Sequence, residues 1–273
     1  MMIVGLDVGS TTVKAVLIDK GGKILWRGYE RHRTRQLDTV IEFFKKIQCI
    51  TEGNTFKLFT TGSGGSRIAG ILGAKHFQEV HALSTAVEHF HYGIGSVFEL
   101  GGQDSKYIAW RGEKGRFLTM NDRCAGGTGA TIDRILMKLN LSEDSLRALS
   151  YNPERIYPVA GKCGVFAETD INGLHKQGVP VDALILSLFQ AIVEQNLAVL
   201  SRGYTPSPRV LLLGGPNVFF KALGDAFRHR LFALWDEREI PYESSDVVIP
   251  ENALFYGAIG AALLGLNLSL IHI

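Results

Sequence analysis

The chain has 273 residues, of which 46% are hydrophobic and 21% are charged, enough for one large domain or two linked lobes with buried cores. A formal net charge of +2 is too close to neutral to indicate nucleic acid or an anionic membrane surface as a partner. No apolar run is expected to span a bilayer, and residues 1–14 lack the pattern of a signal peptide. We therefore expect a cytoplasmic protein without a membrane partner.

Strands and helices alternate in the first third of the chain. Residues 2–18 show the pattern of two apolar strands joined by a Gly-Ser-Thr-Thr turn. Hydrophobic periodicity and glycine breaks then predict a strand, a helix, a strand and two helices at residues 23–31, 36–47, 56–62, 66–73 and 81–93. This part of the chain is predicted to be mixed α/β.

The strand, turn, strand and strand pattern of the N-terminus returns at residues 96–121. Aligning the two turns pairs Asp7, Gly9 and Lys14 with Glu99, Gly101 and Lys106 at the same spacing. Such self-similarity predicts two related lobes rather than one long sheet.

The rest of the chain is predicted to be mostly helical. Helices are expected at residues 128–139, 166–178, 181–203, 217–231 and 252–265, with a buried strand at 209–217 that ends in a Gly-Gly turn. The last of these helices is rich in Gly and Ala, a composition that lets another helix approach closely. Residues 267–273 carry no recognisable signal.

Three cysteines argue against a disulfide framework, so reduced thiols are expected. Cys49 lies in a helical apolar pattern and is predicted to be a small buried residue. Cys124 and Cys163 instead lie beside glycines at the starts of predicted helices.

A basic cluster precedes the first helix. We interpret it as a solvated strand and turn rather than a docking patch. Its members are Arg27, Arg31, His32, Arg33 and Arg35.

Three turns have the residues that a nucleoside triphosphate with Mg²⁺ needs: backbone N–H groups, hydroxyls and carboxylates at the ends of strands. The first turn offers Asp7, Gly9, Ser10, Thr11 and Thr12, the second Glu99, Gly101, Gly102, Gln103 and Asp104, and the third Gly214 and Gly215. Each alone could be a plain hairpin turn, and no P-loop or GxGxxG motif is present. Lys14 and Lys106 could face phosphate or could lie on the surface.

The DVGST, ELGGQD and LLGG turns, with the final small-residue helix, resemble the acetate kinase, sugar kinase, Hsp70 and actin superfamily. That resemblance implies an α/β fold of two RNase H-like lobes with ATP or ADP and Mg²⁺ in the cleft between them. The lobes would be residues 1–93, completed by the helix at 252–265, and residues 94–251. Adenosine would lie at Gly214 to Asn217, and the helices near 82–91 and 252–264 would cross at the hinge.

NDRCAGGTG and AGKCGVFAETDI, at residues 121–129 and 160–171, resemble the BadF/BcrA-type ATPases that activate 2-hydroxyacyl-CoA dehydratases and benzoyl-CoA reductases. TTGSGGSR, at residues 60–67, resembles the Gly-Arg turn of that family. The resemblance implies that Cys124 and Cys163, with the same pair from a second subunit, hold one 4Fe-4S cluster per homodimer. Gly127 and Thr128 belong to the expected cofactor-binding set.

The positions of the two thiols are physically consistent with this resemblance. Two cysteines cannot complete four-thiolate ligation alone, so a C₂ dimer is expected. Both thiols precede predicted helices, where the helix dipole favours a thiolate and an anionic cluster. The same four thiolates would also suit a shared Zn²⁺.

The predicted function is an ATPase that drives one-electron transfer. Gln103 and Asp104 would orient the attacking water, and Asp7 and Asp104 could hold the metal through water. The resemblance implies a ferredoxin- or flavodoxin-like electron donor and a partner iron–sulfur dehydratase or reductase as acceptor. The alternatives are a sugar or acid kinase with Asp104 as base and structural thiols, and a nucleotide-switched binding module similar to Hsp70.

Overall fold

The chain forms two units, each built on its own five-stranded sheet. The structure is a computed structural model that describes residues 1–121, 126–161 and 163–271. One unit comprises residues 1–92 and 254–273, and the other comprises residues 93–253.

The first unit carries three antiparallel strands followed by two parallel ones. Its elements are β1 (Met2–Val8), β2 (Thr12–Ile18), β3 (Ile24–Arg31), α1 (Gln36–Ile50), β4 (Phe56–Thr61), α2 (Gly65–Leu72), β5 (Lys75–His76), α3 (Glu79–Phe90) and, from the end of the chain, α9 (Tyr256–Ile271). The sheet order is β3-β2-β1-β4-β5. Strand β1 pairs antiparallel with β2 and parallel with β4.

The second unit repeats this plan. Its elements are β6 (Ser96–Leu100), β7 (Ser105–Trp110), β8 (Arg116–Asn121), α4 (Gly129–Lys138), α5 (Gly164–Lys176), α6 (Val181–Leu200), β9 (Val210–Leu213), α7 (Gly215–Phe219), α8 (Lys221–Asp236) and β10 (Val247–Val248). The sheet order β10-β9-β6-β7-β8 is that of the first unit read from the other edge. Strand β6 pairs antiparallel with β7 and parallel with β9, as β1 does with β2 and β4.

The register of the strands confirms the internal repeat. Asp7 lies opposite Lys14 on β1 and β2, and Glu99 lies opposite Lys106 on β6 and β7. The turns also match, because the Gly9 N–H donates to the Thr12 carbonyl at 2.9 Å and the Gly101 N–H to the Asp104 carbonyl at 2.9 Å. The predicted α/β fold of two related units is therefore confirmed.

Glycines allow the C-terminal helix α9 to pack directly on its neighbours. A Cβ at Gly260 would lie 1.7 Å from the Ala82 carbonyl oxygen on α3, and a Cβ at Gly5 would lie 2.0 Å from the Ala258 carbonyl oxygen on α9. The expected close approach of another helix is thus observed. Helix α9 continues to Ile271, beyond the predicted end at residue 265, because Leu266 and Ser269 are also buried.

Helix α6 forms the centre of the second unit. Its 20 residues are long and apolar enough to meet the criterion for a membrane-spanning helix, contrary to our expectation that no such run exists. Within this structure, however, 78% of the apolar window is buried inside the protein, as in the core helix of a globular unit.

Cys49 is exposed, so its predicted burial is wrong. The buried face of α1 carries Val40, Phe43 and Ile47. Cys49 is two residues beyond Ile47, which at 3.6 residues per turn places it about 200° around the helix axis. The predicted helix over 217–231 is also two helices, since α7 ends at Phe219 and α8 begins at Lys221.

The close packing of α9 on α3 makes a test of the first unit's stability. We expect Gly260→Ala to destabilise the protein by about 1 to 3 kcal/mol, because overpacked interiors must displace backbone. Gly70→Ala is the matched control: Gly70 lies in helix α2 with nothing within 4 Å of the added methyl group. That control should stabilise the protein by about 0.5 to 1 kcal/mol. Urea unfolding measures both, and equal effects of the two variants would contradict the packing.

Candidate functional site

The first candidate phosphate turn joins β1 to β2. Gly9, Ser10 and Thr11 are partly exposed, whereas Thr12 is buried. The hydrogen bond from the Gly9 N–H to the Thr12 carbonyl closes the turn at 2.9 Å. The backbone and the hydroxyls at its tip are therefore available to a ligand, as the sequence predicts.

Asp7, at the base of this turn, lies in a tight slot. The Lys14 ammonium group contacts its Oδ2 at 3.1 Å, and both side chains are mostly buried. A Cβ at Gly62 would lie 2.5 Å from Asp7 Oδ1, and one at Gly257 would lie 2.9 Å from Oδ2. Lys14 is therefore an ion-pair partner of Asp7 rather than a surface residue, and the glycines keep space around the carboxylate.

His32 belongs to this turn, although the sequence led us to treat it as part of a solvated basic cluster. It is buried, and its Nε2 lies 3.2 Å from the Gly9 carbonyl oxygen. The Thr34 N–H donates to Nδ1 at 3.1 Å, so Nε2 carries the proton and donates to Gly9. The His32 N–H also donates to the Thr11 carbonyl at 3.2 Å. His32 thus holds both ends of the turn.

The signal that could have revealed His32 is the strand register. Thr12 lies opposite Arg31 on β2 and β3, so the next residue along the chain falls beside Thr11. The strand register cannot be read from a count of basic residues. For this reason His32 was wrongly predicted to be solvated together with its basic neighbours.

The second candidate turn, at the end of β6, carries a larger charged group. Lys106 is buried and contacts Glu99 Oε2 at 3.0 Å and Asp104 Oδ2 at 2.5 Å. Gln103 is exposed, and the Asp104 side chain is 25% exposed, against 14% for Asp7. Lys106 is therefore not a surface residue, and Asp104 is the more accessible of the two predicted metal-binding carboxylates.

The third candidate turn follows β9. Gly214 has φ +89°, and a Cβ there would lie 2.1 Å from the Leu100 carbonyl oxygen, so glycine is required on both grounds. Gly215 begins α7, and Asn217 is fully buried, where its Nδ2 donates to the Leu213 carbonyl at 2.8 Å. Within the described part of the chain, Asn217 Oδ1 is buried without a partner.

The segment that contains Gly127 and Thr128 is hydrogen-bonded to the second candidate turn. The buried Thr128 hydroxyl donates to the Gly102 carbonyl at 3.1 Å. The Gly129 N–H donates to Gly101 O at 3.1 Å, and the Ala130 N–H donates to Gly102 O at 2.7 Å. The start of α4 and the predicted phosphate turn therefore form one hydrogen-bonded structure.

The segments next to the two predicted cluster ligands also meet. Cys124 lies outside the described residues. Cys163 is half-buried and is the N-cap residue of α5. A Cβ at Gly164 would lie 2.9 Å from the Gly126 Cα, so these glycines pack face to face. Among the residues that the structure describes, no group of three or more His, Cys, Asp or Glu could hold a metal ion.

A four-thiolate cluster fits this arrangement only if a second chain contributes ligands. Glycines flank Cys163 and pack closely on their neighbours, since a Cβ at Gly161 would lie 3.0 Å from Glu194 Cβ and one at Gly164 would lie 2.9 Å from the Gly126 Cα. Val165 and Phe166, just after Cys163, are 63% and 65% exposed, so the surface beside the thiol is apolar. The described residues at this surface are therefore one half-buried thiol beside exposed apolar side chains.

The chain belongs to the BadF/BadG/BcrA/BcrD ATPase family, whose model matches residues 4–265. The resemblance seen in the two cysteine motifs is thereby confirmed.

Individual relatives are distant. An uncharacterized protein of Methanocaldococcus jannaschii is 29% identical over 207 residues, which cover 74% of this chain and 81% of that protein. The 2-hydroxyisocaproyl-CoA dehydratase activator of Clostridioides difficile is 23% identical over 267 residues, covering 96% of this chain and 94% of that protein.

The solved structure of a Clostridium difficile activator of 2-hydroxyisocaproyl-CoA dehydratase with bound ADPNP has the same fold. It superposes with a TM-score of 0.81 at 22% identity, covering 100% of this chain and 98% of that one.

The contacts of His32 predict its effect on nucleotide binding. We expect His32→Leu to weaken ATP binding about two- to tenfold, because the turn loses the hydrogen bond from Nε2 to the Gly9 carbonyl, such a bond contributes about 0.5 to 1.5 kcal/mol, and 1.4 kcal/mol is tenfold in affinity. His32→Gln, whose amide can still donate to Gly9, should recover most of the affinity, and exposed His89→Leu should change nothing. Titration calorimetry provides the measurement. Equal affinity of His32→Leu and the wild type would contradict the assignment.

Proposed function

We propose that this chain is an ATP-dependent activator of an acyl-CoA dehydratase or reductase, and that it couples ATP hydrolysis to one-electron transfer. Relatives that carry activator names and the ATPase family to which the chain belongs support the activator role. The observation that carries the coupling is the set of three hydrogen bonds that join Gly101 and Gly102 to residues 128–130.

ATP with Mg²⁺ would be held by the three turns. Phosphate would lie on the backbone and hydroxyls of the turn at Gly9, Ser10, Thr11 and Thr12, in which the Gly9 N–H closes the turn, and on the backbone of Gly101 and Gly102. Adenosine would lie at Gly214, Gly215 and Asn217. Glycine at positions 101 and 214 supports the close turns that this arrangement needs, since a Cβ there would lie 2.3 Å from Asp104 Oδ1 or 2.1 Å from the Leu100 carbonyl oxygen.

We prefer Asp104 over Asp7 as the main carboxylate that would hold Mg²⁺ through water. The Asp104 side chain is 25% exposed, against 14% for Asp7, so Asp104 is the carboxylate that a metal ion reaches more easily. Asp7 would make a second, water-mediated contact with the metal ion. The exposed Gln103 amide would orient the attacking water.

Cys163 and Cys124 would ligate one 4Fe-4S cluster together with the same residues of a second copy of the chain. A 4Fe-4S cluster, when bound, supplies a one-electron couple. The exposed apolar Val165 and Phe166 beside Cys163 support a homodimer at this surface, since such groups are usually covered.

Movement of Gly101 and Gly102 with the nucleotide would reach the thiol segment through residues 128–130. It would continue to α5, because Gly126 packs on Gly164 and Lys138 of α4 forms an ion pair with Glu168 of α5. A partner iron–sulfur dehydratase or reductase would accept the electron, and a ferredoxin- or flavodoxin-like donor would replace it. We place the protein in the cytoplasm.

The ligand assignment is tested by metal content. Anaerobically reconstituted wild type and Cys49→Ala should each hold about four irons per dimer with a charge-transfer band, as four-thiolate clusters require. Cys124→Ala and Cys163→Ala should lose both. Cys49 is the matched control because it is an exposed thiol on α1, in the other unit.

Zinc without iron in the wild type, or full iron in Cys163→Ala, would contradict the cluster. ATP-dependent phosphorylation of a sugar or an acid that Cys163→Ala leaves intact would instead indicate a small-molecule kinase. Slow ATP hydrolysis without iron or any phosphorylated product would indicate a nucleotide-switched binding module.

A further inference from the structure

Gln195 is a mostly buried polar residue on the apolar helix α6. The residue is 5% exposed. Its side chain makes no hydrogen bond within the described ranges of the chain. The Gln195 donors are therefore available to an acceptor outside the described residues.

The amide points at the meeting place of the two glycine segments. A Cβ at Gly126 would lie 2.6 Å from Gln195 Nε2, 3.1 Å from its Oε1 and 2.9 Å from the Gly164 nitrogen. Gly126 is two residues after Cys124, and Gly164 follows Cys163 directly. The Gln195 amide therefore borders the two chain segments that carry the predicted thiolates.

The next residue on α6 shows the contrast. Asn196 is equally buried, but its Nδ2 is used structurally, since it donates to the Gly127 and Ile192 carbonyls at 2.9 Å each. Asn196 thus fixes the glycine turn. The N–H groups of the neighbouring Gln195 amide are not used in this way.

A second observation points to the same place. Cys163, the N-cap residue of α5, has an extended conformation, and no side-chain hydrogen bond caps the helix. The Gly164 nitrogen and Gln195 Nε2 both lie within 3 Å of the position that a Gly126 Cβ would take, and an electron-rich sulfur is an acceptor that suits both donors.

We propose that Gln195 is a positioning residue that donates a hydrogen bond to a thiolate or sulfide sulfur of the cluster and thereby raises its reduction potential. The inference rests on the proposed function. A hydrogen bond to sulfur stabilises the reduced, more negative cluster more than the oxidised one. Removing the donor should therefore make the cluster harder to reduce.

The test is the midpoint potential of the reconstituted dimer, followed by EPR during an anaerobic redox titration. Gln195→Leu should shift the reduction equilibrium about three- to tenfold toward the oxidised form, which is about 30 to 60 mV lower at ~59 mV per tenfold for one electron. Gln195→Glu keeps the shape and replaces the donor with an acceptor, so it should shift the potential in the same direction. It also serves as the test if Gln195→Leu does not fold.

Gln190→Leu is the control variant. Gln190 also lies on α6, but its amide is bonded to Tyr151 and Glu194. Its loss should leave the potential unchanged.

The outcomes separate this inference from the function on which it rests. Full iron in both Gln195 variants with the wild-type potential would overturn the role of Gln195 and leave the activator proposal standing. A wild-type protein that binds no iron would overturn both. A lower potential in the Gln195 variants alone, with iron retained, supports the inference.

Discussion

Three hydrogen bonds between residues 128–130 and the carbonyls of Gly101 and Gly102 are the contacts on which the proposed coupling depends. They make the second candidate phosphate turn and the start of α4 one structure. Because buried hydrogen-bonded groups are costly to separate, a displacement of the turn is transmitted to the segment that begins two residues after Cys124. A nucleotide at this turn could therefore affect the thiol segment through neighbouring residues, without touching the segment itself.

The duplicated fold explains why such a turn exists in each unit. The same strand order places a carboxylate and a lysine across a strand pair twice, as Asp7 with Lys14 and as Glu99 with Lys106. The two copies have diverged in what surrounds this pair. In the first unit His32 fixes the turn from β3, whereas in the second unit Asp104 and the start of α4 surround it. The copy with the extra carboxylate is also the one joined to the cysteine segments.

Much of this could be predicted from sequence because the decisive signals are local. The spacing of Asp7 and Gly9, repeated at Glu99 and Gly101, predicted both the duplication and the turns. The residues that were misread depend on tertiary contacts: the burial of His32 depends on the β2 and β3 register, and the exposure of Cys49 depends on which face of α1 meets the sheet. Gln195 gave no signal, since a single polar residue on an apolar helix is meaningful only once Gly126 and Gly164 are seen beside it.

The central claim is that the nucleotide state reaches the thiol segment through Thr128 and its neighbours. The most direct measurement is the EPR spectrum of the reduced dimer with ADP and with a non-hydrolysable ATP analogue, in the wild type and in Thr128→Val, which removes the hydroxyl bond to Gly102. Wild-type spectra should differ between the two nucleotides, and this difference should be smaller in Thr128→Val. Identical wild-type spectra under saturating amounts of both nucleotides would contradict the claim.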